Sequence, residues 1–337
     1  MARKCPSTRL ILALLICLLA VPGALGIGGP VHAGTTRRQI AVLELPGGKS
    51  LSYFISTPAD PSKISEILIS IQGYTRDANR TFDASAKAAA EAGHESNTLI
   101  VAPIFQVPES DAPKCHFRNM PSAGPNDALW RCGNWSDGSP ALNDREITSF
   151  TATDALIAYL AKQYVHAQEV AIAGFSAGGQ FVQRYAAFGS PPRSLEIRYV
   201  VSDPSSFVYF DTYRPLTGVA GCPEYNNWKY GLEHMPAWLG RSAAAARAHY
   251  TATDLRYLEG SLDAGETRES GRDLLETGCQ AELQGPYRLD RGENYATYDA
   301  KMLAHGRHAL AIVPGCGHNV TCVFPNPAAR DALFGTD

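Results

Sequence analysis

The chain has 337 residues, of which 45 % are hydrophobic and 19 % charged, with a formal net charge of −3. That length supports a large buried core, in one sizeable α/β domain or two small ones. The mild acidity excludes an electrostatic drive toward nucleic acid or an anionic membrane surface, and no repeat, charge block or low-complexity tract appears.

At the N-terminus, "MARKCPSTR" precedes the apolar run "LILALLICLLAV" and the small-residue context "VHAG". This reads as a secretory signal peptide over residues 1–33, too short and wrongly flanked for a membrane span. An uncleaved anchor is the alternative. Cleavage removes Arg3, Lys4 and Arg9 and leaves the remainder more acidic. A secreted or periplasmic protein with no stable membrane association is expected.

"RQIAVLEL" and "SLSYFIST" flank "PGG" and predict a β-hairpin. "EILISIQGY" (66–74) is a nearly continuous apolar run, the pattern of a strand buried on both faces. "ANRTFDASAKAAAEAG" predicts a helix stopped by Gly93, and "NTLIVAPIF" a second buried strand. After the polar segment 106–144, "REITSFTATDALIAYLAKQYV" carries Ile147, Phe150, Ile157, Leu160 and Tyr164 at helical spacing.

"EVAIAGF" then predicts a strand, "AGGQFVQRYAAFG" a helix and "LEIRYVVSDP" another strand. Residues 205–253 read as irregular with helical patches. "DLRYLEGSLD" predicts a strand ending at Asp263, "YATYDAKMLAHG" a helix, "HALAIVPG" the last strand and "NPAARDALFG" a closing helix. Alternating strands and helices mean βαβ units and a mostly parallel sheet.

Of eight cysteines, six follow the signal: Cys115, Cys132, Cys222, Cys279, Cys316 and Cys322. An even set in an exported chain predicts disulfides, for which fifteen connectivities exist. Proximity favours Cys115–Cys132 and Cys316–Cys322, leaving Cys222–Cys279. No C-x-x-C or histidine pair points to a metal, and none is expected. His305 and His308, flanking a glycine at a helix-to-strand boundary, read as surface residues. There is no G-x-G-x-x-G after the first strand and no P-loop, so no cofactor is expected.

"GFSAGG" sits between a predicted strand and a predicted helix. G-x-S-x-G there is the pattern of a strained turn that exposes a nucleophilic serine, Ser176. Such a serine needs a base and an acid that orients the base. "IVPGCGHNV" offers His318 just after the last strand. Two acids compete. Asp263 ends the later strand in "GSLD", and Asp203 in "VVSDPSS" follows the strand after the nucleophile helix. The later position is favoured for the acid, which leaves Asp203 as a turn cap beside Pro204. An oxyanion hole needs two backbone N–H groups. Ala177 follows the nucleophile, and Tyr74 lies in the loop "IQGYTRDANR" after an earlier strand.

Ser, Asp and His in that order on loops after strands resemble the α/β-hydrolase superfamily over roughly residues 38–335. The chain is most similar to secreted bacterial serine esterases, feruloyl-esterase-like and polyester-hydrolase-like members among them. "QGYTRDA" is similar to their oxyanion segment with Gln72 in place of the usual His or Pro, and "GFSAGG" departs from the cutinase forms. The resemblance implies an α/β-hydrolase catalytic domain over 34–337, with 205–253 a lid-like insertion. It also implies ester hydrolysis through an acyl-enzyme.

All four tryptophans lie in 106–144 and 205–253. Insertions at the carboxyl edge of a sheet line the ligand crevice. Trp135, Phe207, Tyr209 and Trp228 are therefore candidates to bind an aromatic acyl group, a sugar ring or a polyester unit. The competing reading makes these rings the small core of a lid. The expected partner is a small or polymeric ester. A serine peptidase on short peptides and a non-catalytic hydrolase-fold binding protein are the rival functions.

Overall fold

The computed structural model describes residues 37–335 apart from residue 116; the signal-peptide expectation lies outside them. Strands β1 (Arg38–Leu45) and β2 (Lys49–Ser56) form the hairpin, in register from Arg38 opposite Ser56 to Leu45 opposite Lys49. β3 (Glu66–Ile71), β4 (Thr98–Pro103), β5 (Glu169–Phe175), β6 (Glu196–Ser202), β7 (Asp254–Gly260) and β8 (Ala309–Val313) complete an eight-stranded sheet ordered β1-β2-β4-β3-β5-β6-β7-β8. The β1–β2 and β2–β4 pairs are antiparallel and every other pair is parallel.

The helices are α1 (Ala78–Ala92), α2 (Ala112–Cys115), α3 (Ser149–Gln163), α4 (Ala177–Phe188) and α5 (Ala243–Ala252). Further on come α6 (Cys279–Glu282), α7 (Arg288–Met302), α8 (Val320–Val323) and α9 (Arg330–Phe334). They divide between the two faces of the sheet. Ile67, Ile69, Ile71, Val170 and Ile172 share a core with Leu156, Phe181, Tyr185, Tyr250 and Tyr295 from α3, α4, α5 and α7. Leu68, Ala171 and Ala173 face the other way, onto Phe82, Val320, Val323, Leu333 and Phe334 from α1, α8 and α9. Covering both faces explains the unbroken apolar runs of β3 and β5. Burying them is worth about 1.5–3 kcal/mol for each large aliphatic side chain.

Local signals set the helix ends. Gly93 stops α1 in the left-handed conformation, φ 83. Thr148 caps α3 through a reciprocal pair of bonds with Thr151. Two boundaries differ from the sequence expectation. β7 stops at Gly260, because Ser261 and Leu262 turn their N–H groups to Val313 and Cys316 and Asp263 closes a turn onto Gly260. α7 starts at Arg288, not near Tyr295; its early buried face carries Arg288, Arg291 and Gly292, which apolar periodicity does not register.

The paired cysteines are Cys115–Cys132, Cys222–Cys279 and Cys316–Cys322. His308 is buried and corrects the surface expectation: its Nδ1 lies 2.6 Å from Asp299 Oδ2 and its Nε2 3.1 Å from the Thr253 carbonyl. His305 is exposed as expected. Among the described residues no helix is long and apolar enough to cross a membrane.

Candidate active site

β3 and β5 are neighbours with Ile71 opposite Gly174, so the loops leaving their carboxyl ends emerge side by side. A parallel sheet places its ligand crevice at such ends. The loop after β5 is the sharp corner that carries Ser176, at φ 61 and ψ −120. A non-glycine residue there is strained by about 1–3 kcal/mol and must be held by its surroundings. The hold comes from backbone packed on backbone. A Cβ on Gly178 would sit 2.7 Å from the Gln72 carbonyl oxygen, and one on Gly179 would sit 2.5 Å from that of Ser202. Only glycine lets α4 begin this close to β3 and β6. Ser176 N–H donates to the Ser202 carbonyl at 2.9 Å, which tightens the same corner.

His318 reaches the serine from the loop after the edge strand β8, three strands along the sheet from β5. Its Nε2 is 2.9 Å from Ser176 Oγ and its Nδ1 2.6 Å from Asp263 Oδ2. The Cys316–Cys322 disulfide brackets it, and its own N–H donates to the Glu269 carbonyl at 2.6 Å. The ring packs on Phe175, centroids 4.7 Å apart. Behind it, Asn319 Oδ1 accepts from Arg80 Nη2 at 2.5 Å.

The two competing acids are separated by what they touch. Asp263 meets His318, whereas Asp203 accepts from Gly260 N–H at 2.8 Å and Ser202 Oγ at 2.7 Å. Asp203 is therefore a buried tie between the ends of β6 and β7, not a turn cap beside Pro204. Burial raises Asp203 to about 7, with the Asp263 charge adding to it. Burial also raises Asp263, to about 6, against the pull of Arg288, whose Nη1 lies 3.3 Å from Asp263 Oδ1. Burial, with the Arg288 charge second, lowers His318, so its ring is neutral and able to accept a proton. Glu259 lies fully buried nearby and is pushed well above the carboxylate range by burial first, then by Asp203 and Asp263.

Ala177 is the first residue of α4, where N–H groups have no acceptor within the helix. On the neighbouring loop, Gly73 N–H is taken by Asp77 Oδ1 at 2.7 Å, which leaves Tyr74 the next donor along it. The Tyr74 side chain is 39 % exposed. Asp203, Asp263 and His318 offer ligand atoms within 4.8 Å of one another. Both ring nitrogens of His318 are already engaged, so a cation there would compete with the Ser176 and Asp263 bonds.

The aromatic candidates go mostly into the core. Trp135, Phe207 and Tyr209 are each 0 % exposed, which corrects their assignment to a substrate wall. Trp135 stacks on Phe105 and donates Nε1 to the Cys132 carbonyl at 2.9 Å, and Phe207 stacks on Tyr295. Trp228 is half-buried, edge-on to Phe188. Residues 205–210, the start of the expected lid, are buried, with Gln284 bonding both the N–H and the carbonyl of Phe207.

Sequence reasoning missed Arg288, Asp77 and Glu259. Only Asp77 left a trace, as a carboxylate four residues after the Gly73 it fastens.

No family model and no curated relative matches the chain. Solved structures do. Poly(aspartic acid) hydrolase-1 from Sphingomonas sp. KT-1 matches with a TM-score of 0.62 at 21 % identity, over 89 % of this chain and 99 % of that one. LpqC, a poly(3-hydroxybutyrate) depolymerase from Bordetella parapertussis, matches with a TM-score of 0.61 at 17 % identity, over 88 % and 90 %. The chain has the α/β-hydrolase fold, with its mixed, mostly parallel eight-stranded sheet between two layers of helices.

Proposed function

We propose that the protein is an exported serine hydrolase that cleaves carboxylic esters. The observation that carries the reading is the hydrogen-bonded line Asp263–His318–Ser176, ending on a serine held at positive φ beside two donor-bearing loops. Ser176 Oγ attacks the ester carbonyl as His318 Nε2 takes its proton. The N–H groups of Tyr74 and Ala177 meet the oxyanion, and Asp263 stabilises the imidazolium. The tetrahedral intermediate collapses, His318 protonates the departing alcohol, and a water activated by the same ring hydrolyses the acyl-serine. Three disulfides support an oxidising compartment, in keeping with the signal-like N-terminus. The poly(3-hydroxybutyrate) in one neighbour's name is a polyester, which supports testing polymeric esters alongside small ones.

The test is labelling by a fluorophosphonate followed by peptide mapping, with ester and amide turnover measured on the same preparation. Label on Ser176 and its loss in Ser176→Ala are expected, with turnover falling by about four orders of magnitude or more in a folded variant. Near wild-type turnover in Ser176→Ala would sink the assignment. Amide turnover exceeding ester turnover would move it to the peptidases, and no labelling would leave a binding protein.

A further inference from the structure

Arg76 lies two residues beyond Tyr74, and the proposed chemistry does not use it. It is 2 % exposed and sits at φ 59, a conformation that costs a side-chain-bearing residue energy. One guanidinium nitrogen, Nη2, donates to Gln106 Oε1, while Nε is buried without a partner. The other deeply buried arginines sit in the field of acids. Arg184 and Arg291 have Glu276 and Arg288 has Asp263, each raising the group back toward its ordinary range. For Arg76 burial is the sole cause at work, lowering it to about 10, and among the described residues it forms no ion pair. The group is therefore charged at neutral pH and lacks a counter-ion, an expensive state for a buried cation.

Arg76 lines a cavity of about 560 Å³ together with Val107, Ala112, Pro113 and Ala123, which supply an apolar wall, and with the exposed Ser122 and Glu109, the latter making no ion pair with Arg76. That volume suits a small organic ligand. The wall is anchored: α2 is tied by Cys115–Cys132, and Gln106 Nε2 donates to the carbonyls of Pro121 and Ser122 at 3.3 and 3.4 Å. A guanidinium beside an apolar wall matches a carboxylate at the end of a short carbon chain, since its fork donates to both oxygens at once.

We infer that this cavity is a subsite for a carboxylate carried by the substrate, so that esters with a free acid group are cleaved in preference to uncharged ones of similar size. The inference rests on Ser176 as the nucleophile, because it places the acid-binding group on the same loop as the Tyr74 donor. Occupation by a carboxylate supplies the charge that Arg76 lacks.

The probes are mono-p-nitrophenyl glutarate against p-nitrophenyl butyrate for kinetics, and glutarate against uncharged pentanediamide for calorimetry. The wild type is expected to bind glutarate and not the diamide, more weakly as salt rises. The ratio of kcat/KM for the acidic ester to that for the neutral one should fall at least tenfold in Arg76→Gln. Ala123→Glu, at an exposed position in the wall, puts a competing carboxylate into the cavity without disturbing packing and should lower the ratio likewise. It carries the test should Arg76→Gln fail to fold. A ratio within twofold of wild type in either folded variant, or equal binding of glutarate and the diamide, overturns the subsite. Glutarate binding by a chain that turns over neither ester would keep the subsite and remove the esterase reading. Turnover of both esters that ignores Arg76 would do the reverse.

Discussion

The two arms of the site are held by different means. The Ser176 corner is backbone against backbone: strained dihedrals, Gly178 against the carbonyl end of β3, Gly179 against Ser202. The His318 arm is held by side chains and a cross-link. The Cys316–Cys322 bridge, the Glu269 carbonyl, Phe175 and the Arg288–Asp263 pair each restrain part of it. Strain at the first arm is restrained by the whole sheet, so damage there spreads into the fold. The second arm hangs on local contacts at the sheet's edge, and damage there should show in chemistry before it shows in stability.

The sharpest break comes from the acids. Asp263→Asn turns the partner of Nδ1 into a group that no longer selects the reactive tautomer, and kcat should fall by about three to four orders of magnitude. Asp203→Asn, whose one carbonyl oxygen still accepts from Gly260 while its Nδ2 can donate to Ser202 Oγ, should cost no more than about tenfold. Steady-state kinetics of the two folded variants rank them, and the opposite ranking would hand the acid role to Asp203.

Gly178→Ala tests the backbone arm. Its Cβ has no flexible neighbour to displace, so a loss of about 2–4 kcal/mol is expected, read as a lower urea midpoint or as little folded protein. A variant as stable as wild type would show that α4 can retreat from β3. Replacing Cys316 and Cys322 together by serine tests the other arm. So short a loop contributes about 2–3 kcal/mol in the chain-entropy model, while an ångström of drift in His318 costs roughly a hundredfold in rate. Turnover should therefore drop about a hundredfold with the protein still folded at 25 °C, as checked by circular dichroism beside kinetics. Undiminished turnover would reduce the bridge to a structural role.

The smallest effect concerns pH. Burial lowers His318 from its ordinary 6.5, so the neutral ring persists at pH values where an exposed histidine is already protonated. The acidic limb of kcat/KM should have its midpoint below about 6.5. A limb at or above that value would show that the Asp263 charge outweighs burial in setting the base.

Much of this was legible in the chain. Apolar runs without alternation announced strands covered on both faces, and Gly93 announced the end of α1. Ser176, His318 and Asp263 stood out because each follows a strand, a relation the linear pattern preserves. The aromatic insertions misled because a tryptophan in a polar stretch looks the same whether it lines a crevice or fills a core. Trp135 and Phe207 were drawn inward by Phe105 and Tyr295, partners 30 and 88 residues away. His308 misled likewise, since its partner Asp299 lies on the preceding helix and a histidine near a turn carries no mark of burial.

Taken alone, the sequence determined the strands, their order and the candidate serine and histidine, because periodicity and position after a strand are local properties. Tertiary structure alone decided which carboxylate meets His318, which rings the solvent reaches, and that Arg76 is buried beside a cavity without a counter-charge. Those outcomes depend on distances between residues far apart in the chain and on the solvent that packing excludes. Neither quantity is written in any window of the sequence.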